Sequence, residues 1–404
     1  MTSDRIHFKG LNAVRFLAAA VVAISHASVL LMWSGLPSLM GWVNSESGTF
    51  GWLNPESGKL AVICFFVLSG FLITYLLLAE EARTGAISVR AFYLRRILRI
   101  WPLYYLLVLC GFLLLPHVSL LESPMPPVHE HSWWLEFALY MTIFPNLAIP
   151  VPYLGHLWSI GVEEQFYILW PILLVLFPNR MRLLLGVITL YLITLFASDL
   201  FPFAHAQRLK VALSLFRIDC IAIGGVAAVV LFRGTQPLLQ IVAAPATQIL
   251  TAVALAVVYL WNLQVPRLTY DLYALLFGVL ILGIAAEPRS VAWLENRVFD
   301  LLGKVSYGIY MYHPVAILLT LAMLRHWFGA ERRGWPFSAA LYGLGLASTV
   351  AIAVVSYYGF EVRFLRLKLR VSTIVTGDLA KESGTPAVAT ILAHTRAQIS
   401  TSGE

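Results

Sequence analysis

Charged side chains are scarce in this 404-residue sequence. They make up 12% of residues, whereas soluble domains carry about 25%, so an ordinary soluble enzyme is excluded. Hydrophobic residues, by contrast, make up 59%, and the mean hydropathy is +0.79. At about 20 apolar residues per span, this composition predicts an all-α polytopic membrane protein with about ten transmembrane helices.

Cysteine is also rare. Cys64, Cys110 and Cys220 all lie in apolar runs and form no Cys-x-x-Cys motif, so neither a disulfide framework nor a metal site is indicated. The net charge of +7 is large enough to suggest nucleic acid. However, an excess of Lys and Arg is expected on the cytoplasmic side of a membrane protein, beside anionic lipid. We therefore expect membrane lipid, and no nucleic acid, as a partner.

Hydropathy and turn residues divide the chain into ten predicted spans. They lie near residues 11–32, 59–79, 100–116, 156–177, 183–201, 211–232, 242–261, 269–286, 306–328 and 337–360. With the N-terminus placed in the cytoplasm, 19 of the 28 Lys and Arg residues fall in inner segments. Because cytoplasmic loops are enriched in these residues, both termini are predicted to be cytoplasmic.

Two segments outside the spans have a distinct composition. Residues 371–404 are rich in Thr, Ser, Ala and Gly and are predicted to form a disordered cytoplasmic tail after a single membrane domain, residues 1–370. The longest outer loop, residues 117–155, has no Lys or Arg. Its Trp pair at 133–134 and apolar stretch at 135–144 fit either a short interfacial helix or a connecting loop with aromatic anchors.

Span one contains two ionisable residues. Arg15 lies near its inner end and His26 eleven residues later, roughly 16 Å apart along a helix and on broadly the same face. Arg15 can snorkel to the inner headgroups, whereas His26 lies too deep to do so. A histidine inside a span usually faces an aqueous path or a functional site; a structural hydrogen bond is the alternative for His26.

Span four contains two adjacent carboxylates, Glu163 and Glu164. Neighbouring positions on a helix point about 100° apart, so at least one of the two must face the protein interior. Two carboxyl groups this close can retain a proton, as a general acid or a hydrogen-bond donor to a hydroxyl substrate would. The alternative for Glu164 is an ion pair with Arg217 or Arg15.

Three arginines occupy one helical turn where span three begins. Arg95, Arg96 and Arg99 are spaced i, i+4 and i, i+3, so their guanidinium groups share one region of the predicted inner surface. The positive-inside rule alone explains some basic residues there. A cluster of arginines without lysine further indicates a phosphorylated cytoplasmic ligand, because the planar guanidinium binds phosphate with two hydrogen bonds.

Two more segments carry polar groups into the membrane. In span two, Ser69-Gly70 permits close helix packing and provides a buried hydroxyl. In span six, Arg217 and Asp219 are spaced i, i+2 and are expected to point apart, toward partners on other helices.

Span nine has a polar face of its own. Ser306, Tyr310 and His313 follow helical spacing along one side of the helix. Pro314 comes next in the sequence and, having no N–H group, leaves a backbone carbonyl free nearby.

Together these segments resemble the acyltransferase-3 family of bacterial integral membrane O-acyltransferases, over about residues 8–370. Five motifs in the family's order carry the resemblance. They are Arg15 with His26 after ten intervening residues, Phe65-Phe-Val-Leu-Ser-Gly-Phe71, Arg95-Arg-Ile-Leu-Arg99, Trp158-Ser-Ile-Gly-Val-Glu-Glu-Gln-Phe-Tyr167 and Ser306-Tyr-Gly-Ile-Tyr-Met-Tyr-His-Pro314.

The resemblance implies an activity. Family members move an acyl group, usually acetyl, from cytoplasmic acyl-CoA to a hydroxyl, commonly of a surface polysaccharide. It implies that His26 is the catalytic histidine and that Arg96 and Arg99 engage the donor. Acetyl-CoA or another short acyl-CoA is then the donor substrate, with no permanently bound cofactor. The expected location is the bacterial cytoplasmic (inner) membrane.

The acceptor remains open at this point. A surface or exported glycan, such as O-antigen, exopolysaccharide, lipo-oligosaccharide or another lipid-linked sugar, is expected. A small glycosylated metabolite such as a macrolide is an alternative, and a transporter without transferase chemistry is a more distant one. Because only about 40 residues follow span ten, a stand-alone enzyme without the appended hydrolase-like domain of some members is expected.

The candidate site residues fall into three groups. The catalytic group is His26, Arg15, Glu163 and Glu164. The donor-binding group is Arg95, Arg96, Arg99, Ser69, Ser306, Tyr310 and His313. The acceptor or supporting group is Trp158, Ser159, Gln165, Arg217 and Asp219, and no metal ligand is predicted.

Overall fold

The structure is a computed structural model of the chain that describes residues 5–39, 56–118, 121, 132–200, 213, 216–287, 294–329, 334–370 and 375–376. Fourteen α-helices are present in these ranges, which confirms the predicted all-α membrane fold. They are α1 (Leu11–Trp33), α2 (Ser57–Thr84), α3 (Val89–Leu109, continued by tighter and wider turns to His117), α4 (Trp133–Met141), α5 (Trp158–Leu176), α6 (Arg180–Leu200), α7 (Ile218–Arg233), α8 (Gln236–Ala243), α9 (Pro245–Leu260), α10 (Thr269–Ala286), α11 (Arg297–Lys304), α12 (Ser306–Phe328), α13 (Trp335–Ser356) and α14 (Val362–Arg370).

Among the described residues, fewer helices than the ten predicted are long and apolar enough to cross a membrane. Within the described ranges, eight helical segments are long and apolar enough to cross a membrane, and nine if α7 and α8, which meet at a bend of 119°, count as one span. The remaining predicted span, residues 242–261, corresponds to α9. Its 16 residues extend roughly 24 Å, less than the ~30 Å hydrocarbon core.

Short connections fix the end of α2 and the start of α3, the helix that carries the arginine cluster. Gly85 ends α2 in the left-handed conformation (φ 81°), and its N–H donates to the carbonyl of Glu81, as is typical of glycine after a helix. Ser88 then caps α3, because its hydroxyl accepts from the N–H of Ala91 at 3.3 Å. The arginine cluster therefore begins within two turns of a fixed helix start.

Helices α2 and α7 form the tightest contact of the bundle. A methyl group at Gly70 would lie 1.8 Å from the carbonyl oxygen of Ile221, and one at Gly224 would lie 1.9 Å from that of Val67. This confirms the close packing predicted for Ser69-Gly70. Large buried side chains fill the neighbouring core, among them Phe66, Phe71, Tyr104 and Trp170.

The two ends of the described chain lie together. Residues Arg5–Ile6 pair in parallel with Val375–Thr376 to form a strand pair of two residues each. Apart from residues 375–376, the predicted tail lies outside the described residues, and its cytoplasmic location stays a prediction.

The outer surface of the bundle suits lipid. Long apolar side chains are more than half exposed on several helices, for example Leu190, Leu250 and Val355, and lipid rather than water would cover them. Of the two possibilities for residues 133–144, the structure has the helix, α4, with Trp134 largely exposed.

Candidate active site

A pocket of about 230 Å³ opens among α1, α2, α3, α5, α12 and α14. Four cationic side chains from three separate helices line it, namely Arg15, Arg96, Arg99 and Lys368; we call this group the cationic mouth. Glu163 is the one carboxylate among the described residues of the lining. The pocket therefore carries a positive excess suited to an anionic ligand.

Aromatic contacts hold Arg96 in the cationic mouth. Its guanidinium carbon lies 5.2 Å from the ring centre of Tyr167 and 5.5 Å from that of Phe92, both within cation–π range. The Tyr167 hydroxyl donates to Glu163 at 2.7 Å and also meets the hydroxyl of Ser69. Predicted residues from α2, α3 and α5 thus converge on one wall.

The neighbouring arginine has a different role. Arg95 is absent from the lining and forms an ion pair with the buried Glu80, 2.6 Å from Nη2 to the carboxylate. Arg95 was predicted to bind the donor together with Arg96 and Arg99, but the packing of α3 against α2 directs it to another helix. Its contribution is to hold α3 against α2.

Lys368 was missed as a site residue at the sequence level. It follows the last predicted span, where basic residues are expected from topology alone, and nothing in its immediate sequence sets it apart from Arg366 and Arg370. Only the packing of α14 beside α3 brings it to Arg96 and Arg99.

Two hydroxyl groups mark the deep end of the pocket. The Tyr310 hydroxyl donates to the carbonyl of His156 at 2.9 Å, the Ser159 hydroxyl lies 3.4 Å from the same carbonyl, and the two hydroxyl oxygens are 2.6 Å apart. Both residues line the pocket, as does Ser306, whose hydroxyl donates to the carbonyl of Gly303. The predicted residues Ser159, Tyr310 and Ser306 therefore belong to one wall.

A pair of histidines lies next to this deep end. Nδ1 of His26 and Nε2 of His313 are 2.6 Å apart, and the ring of His313 lies 5.8 Å from that of Tyr310. Neither histidine is in the pocket lining. Tyr310 thus joins the pocket to the histidine pair, and His313, predicted to bind the donor, instead contacts His26.

His156 is a third histidine in the same place, and sequence reasoning did not select it. Its ring is 4.9 Å from that of His313, and neither of its buried ring nitrogens has a hydrogen-bond partner among the described residues. Its position two residues before Trp158 in the span-four motif was the available signal.

Other predicted residues have supporting contacts. Glu164 accepts from the indole N–H of Trp101 at 2.8 Å, so the two carboxylates diverge as predicted. Gln165 donates to the carbonyl of Ile143 at 3.0 Å, which ties α5 to the segment after α4. Trp158 packs edge-to-face on a phenylalanine of α2. Glu164, Gln165 and Trp158 do not line the pocket.

Arg217 and Asp219 form a separate buried cluster. Arg217 donates to Asp219 at 2.6 Å and to Asp271 at 2.9 Å. Its guanidinium also lies 5.3 Å from the ring centre of Tyr191. The predicted partner on another helix exists and is Asp271, but the i, i+2 pair also bonds directly, because Arg217 precedes the first residue of α7 and is not helical. This cluster does not line the pocket.

Comparison with known proteins identifies the family of the chain. The family model described as "Acyltransferase domain" matches residues 8–358. This range contains both histidines of the pair and the whole pocket lining except Ile6, His7, Leu365 and Lys368. The chain belongs to this acyltransferase family. The predicted family and enzyme class are thereby confirmed.

Two curated relatives of this acyltransferase are named as O-acetyltransferases. The peptidoglycan O-acetyltransferase OatA of Listeria monocytogenes is 27% identical over 66% of this chain and 46% of its own length. The O-acetyltransferase OatA of Staphylococcus aureus is 27% identical over 64% of this chain and 46% of its own length. The chain thus spans about half the length of the curated relatives it matches. No solved structure matches it.

Proposed function

We propose that this acyltransferase is a membrane O-acetyltransferase that moves an acetyl or other short acyl group from acyl-CoA to a hydroxyl of a surface or exported glycan. The observation that carries the proposal is the connection between the cationic mouth and the His26–His313 pair through Tyr310. One end suits a polyanion, and the other offers an imidazole.

The cationic mouth suits the donor. Coenzyme A has several phosphate groups on its nucleotide end and a long, narrow pantetheine arm that ends in the thioester. Guanidinium and ammonium groups bind phosphates through charge-assisted hydrogen bonds. The pocket volume of about 230 Å³ is below the roughly 300–1,000 Å³ of pockets that enclose a whole ligand. We therefore expect the phosphates to stay at the cationic mouth while the arm enters.

The chemistry needs one lone pair of an imidazole. If His26 acts as a general base, it takes the proton of the acceptor hydroxyl while that oxygen forms a bond to the thioester carbon. The carbon–sulfur bond then breaks, and the thiolate of CoA takes the proton back from His26. If His26 acts as a nucleophile, its nitrogen bonds to the thioester carbon as the carbon–sulfur bond breaks and the CoA thiolate leaves; the acceptor oxygen then bonds to the same carbon as the carbon–nitrogen bond breaks, and the hydroxyl proton passes to the thiolate. Both routes end with one acylated hydroxyl and one free CoA thiol.

Glu163 and Ser159 suit supporting roles. Glu163 lies at the Tyr167 hydroxyl on the pocket wall, where it can orient the donor arm or the acceptor. The Ser159 and Tyr310 hydroxyls bond to each other and to the His156 carbonyl, so one of them would exchange its present acceptor for a substrate carbonyl oxygen on which negative charge develops.

The relatives support a glycan as the acceptor. One is named for peptidoglycan O-acetylation and both for O-acetyl transfer. Their bacterial origin also supports the proposed location, the bacterial cytoplasmic membrane. In that membrane, positive-inside topology puts the cationic mouth beside cytoplasmic acyl-CoA.

The proposal is tested by incubating purified protein with radiolabelled acetyl-CoA and glycan acceptors. Wild-type protein should release CoA and acylate the glycan in equal amounts, whereas His26→Ala should do neither. His326→Ala is the matched control, because His326 lies exposed near the end of the same helix as His313. Full activity of His26→Ala, or CoA release without an acylated product, would overturn the proposal.

A further inference from the structure

We infer that His313 is a positioning residue that sets the tautomer of His26, so that Nε2 of His26 is the reacting nitrogen. This inference rests on the proposed function, because it concerns the same imidazole. Its basis is a chain of two hydrogen bonds that connects His26 to the backbone of α12 through His313.

The first hydrogen bond in this chain fixes the proton of His313. Nδ1 of His313 lies 2.7 Å from the carbonyl oxygen of Tyr310. A carbonyl oxygen only accepts hydrogen bonds, so Nδ1 of His313 carries the hydrogen.

Proline makes that carbonyl available. In an α-helix the carbonyl of residue 310 would accept from the N–H of residue 314. Residue 314 is Pro314, which lies inside α12 and has no N–H. The Tyr310 carbonyl therefore lacks its usual helical donor, and the His313 ring supplies one. Pro314 thus has a specific effect on the histidine pair.

The second hydrogen bond transmits the assignment to His26. A neutral imidazole with hydrogen on Nδ1 has a lone pair on Nε2. Nε2 of His313 faces Nδ1 of His26 at 2.6 Å, so His26 must donate there. Nδ1 of His26 then carries its hydrogen, and its Nε2 keeps the lone pair.

Burial supports the neutral form of His313. Its ring is fully buried, and among the described residues no carboxylate hydrogen-bonds to His26 or His313. A charged imidazolium would be uncompensated in such surroundings. Besides His26, the rings beside His313 are those of His156 and Tyr310, which provide no counter-charge.

As a consequence, His26 acts as a base through its Nε2 atom. With Nε2 of His26 unprotonated, this nitrogen can take the proton of the acceptor hydroxyl, and Nδ1–H remains bound to His313 throughout. The hydrogen bond to His313 also stabilises the imidazolium that forms during transfer. If His313 were absent, His26 could rotate or adopt the other tautomer, and a smaller fraction of enzyme would be competent at any moment.

The test compares His313→Ala and His313→Gln with wild type and with the His326→Ala control. The alanine variant should lose kcat by about 100-fold or more with an unchanged KM for acetyl-CoA. The glutamine variant, whose side-chain oxygen can accept from Nδ1 of His26, should recover at least about tenfold over alanine. A His313→Ala enzyme within threefold of wild-type kcat would overturn the inference.

A second measurement covers the case in which the variants do not fold. Nitrogen NMR of ¹⁵N-histidine-labelled wild-type protein distinguishes protonated from unprotonated ring nitrogens, and the His26→Ala spectrum identifies the His26 signals. An unprotonated Nε2 on His26 is expected, and an unprotonated Nδ1 would refute the assignment. If wild-type protein transferred no acetyl group, the proposed function would fail while the NMR result would still decide the tautomer.

Discussion

Replacing Gly70 by alanine should separate the two central helices of the bundle. The added methyl carbon would lie 1.8 Å from the backbone carbonyl oxygen of Ile221. Real side-chain carbons are essentially never closer than 3.0 Å to such an atom, so α2 and α7 must move apart by about 1.2 Å there. The obstacle is a backbone atom and cannot rotate away.

The expected loss of stability follows from the displacement of α2 from α7. Overpacking a well-packed core costs about 1–3 kcal/mol, and a gap of 0.5–1 Å forfeits a quarter to a half of the dispersion energy of neighbouring contacts. We expect Gly70→Ala to lower the free energy of unfolding by about 3 kcal/mol, at the upper end of this range. Because Ser69 lines the pocket on the same helix, the KM for acetyl-CoA should rise as well.

The assay unfolds the purified protein in detergent and monitors its unfolding by circular dichroism. Gly186→Ala is the matched control, since Gly186 lies inside α6 and its added methyl group would meet nothing within 4 Å. This control should be neutral or more stable by up to about 1 kcal/mol, because alanine favours helix. Equal stability of Gly70→Ala and wild type would refute the packing argument.

Two further predictions concern charge. Arg99→Gln and Lys368→Gln should each raise the KM for acetyl-CoA about tenfold in steady-state kinetics, as expected for a lost charge-assisted hydrogen bond. Arg95→Gln should leave that KM unchanged and lower stability, because Arg95 pairs with Glu80. The same change in KM for all three variants would contradict these different roles. Arg217→Met should lower the free energy of unfolding by about 3–5 kcal/mol, because it leaves two buried carboxylates without their shared partner; unfolding measurements showing wild-type stability would contradict it.

Hydropathy predicted most of the fold because the spans are long and uniformly apolar. The predicted spans 269–286 and 306–328 coincide with α10 and α12. The span predicted at 211–232 is less simple, since α7 begins at Ile218 and meets α8 at a sharp bend after Gly234. Hydropathy reports which residues avoid water, and it contains no information on the angle between successive helices.

The site was only partly predictable for a similar reason. Motif residues such as Arg96 and Ser159 line the pocket as expected, whereas Arg95, one residue away from Arg96, pairs with Glu80. Lys368 enters the cationic mouth through α14, and His26 meets His313 across 287 positions in the sequence. Such contacts depend on how distant helices pack, which local spacing does not encode.

We expect His26 to be the imidazole that catalyses acyl transfer from a donor at the cationic mouth to a glycan hydroxyl. The most direct measurement follows labelled acetyl from acetyl-CoA to glycan, with equal amounts of folded wild-type and His26→Ala protein in the same vesicles. Wild-type protein should produce one acylated hydroxyl per CoA released, and His26→Ala should produce none although it still binds CoA. Acylated glycan from His26→Ala at the wild-type rate would rule out this role for His26.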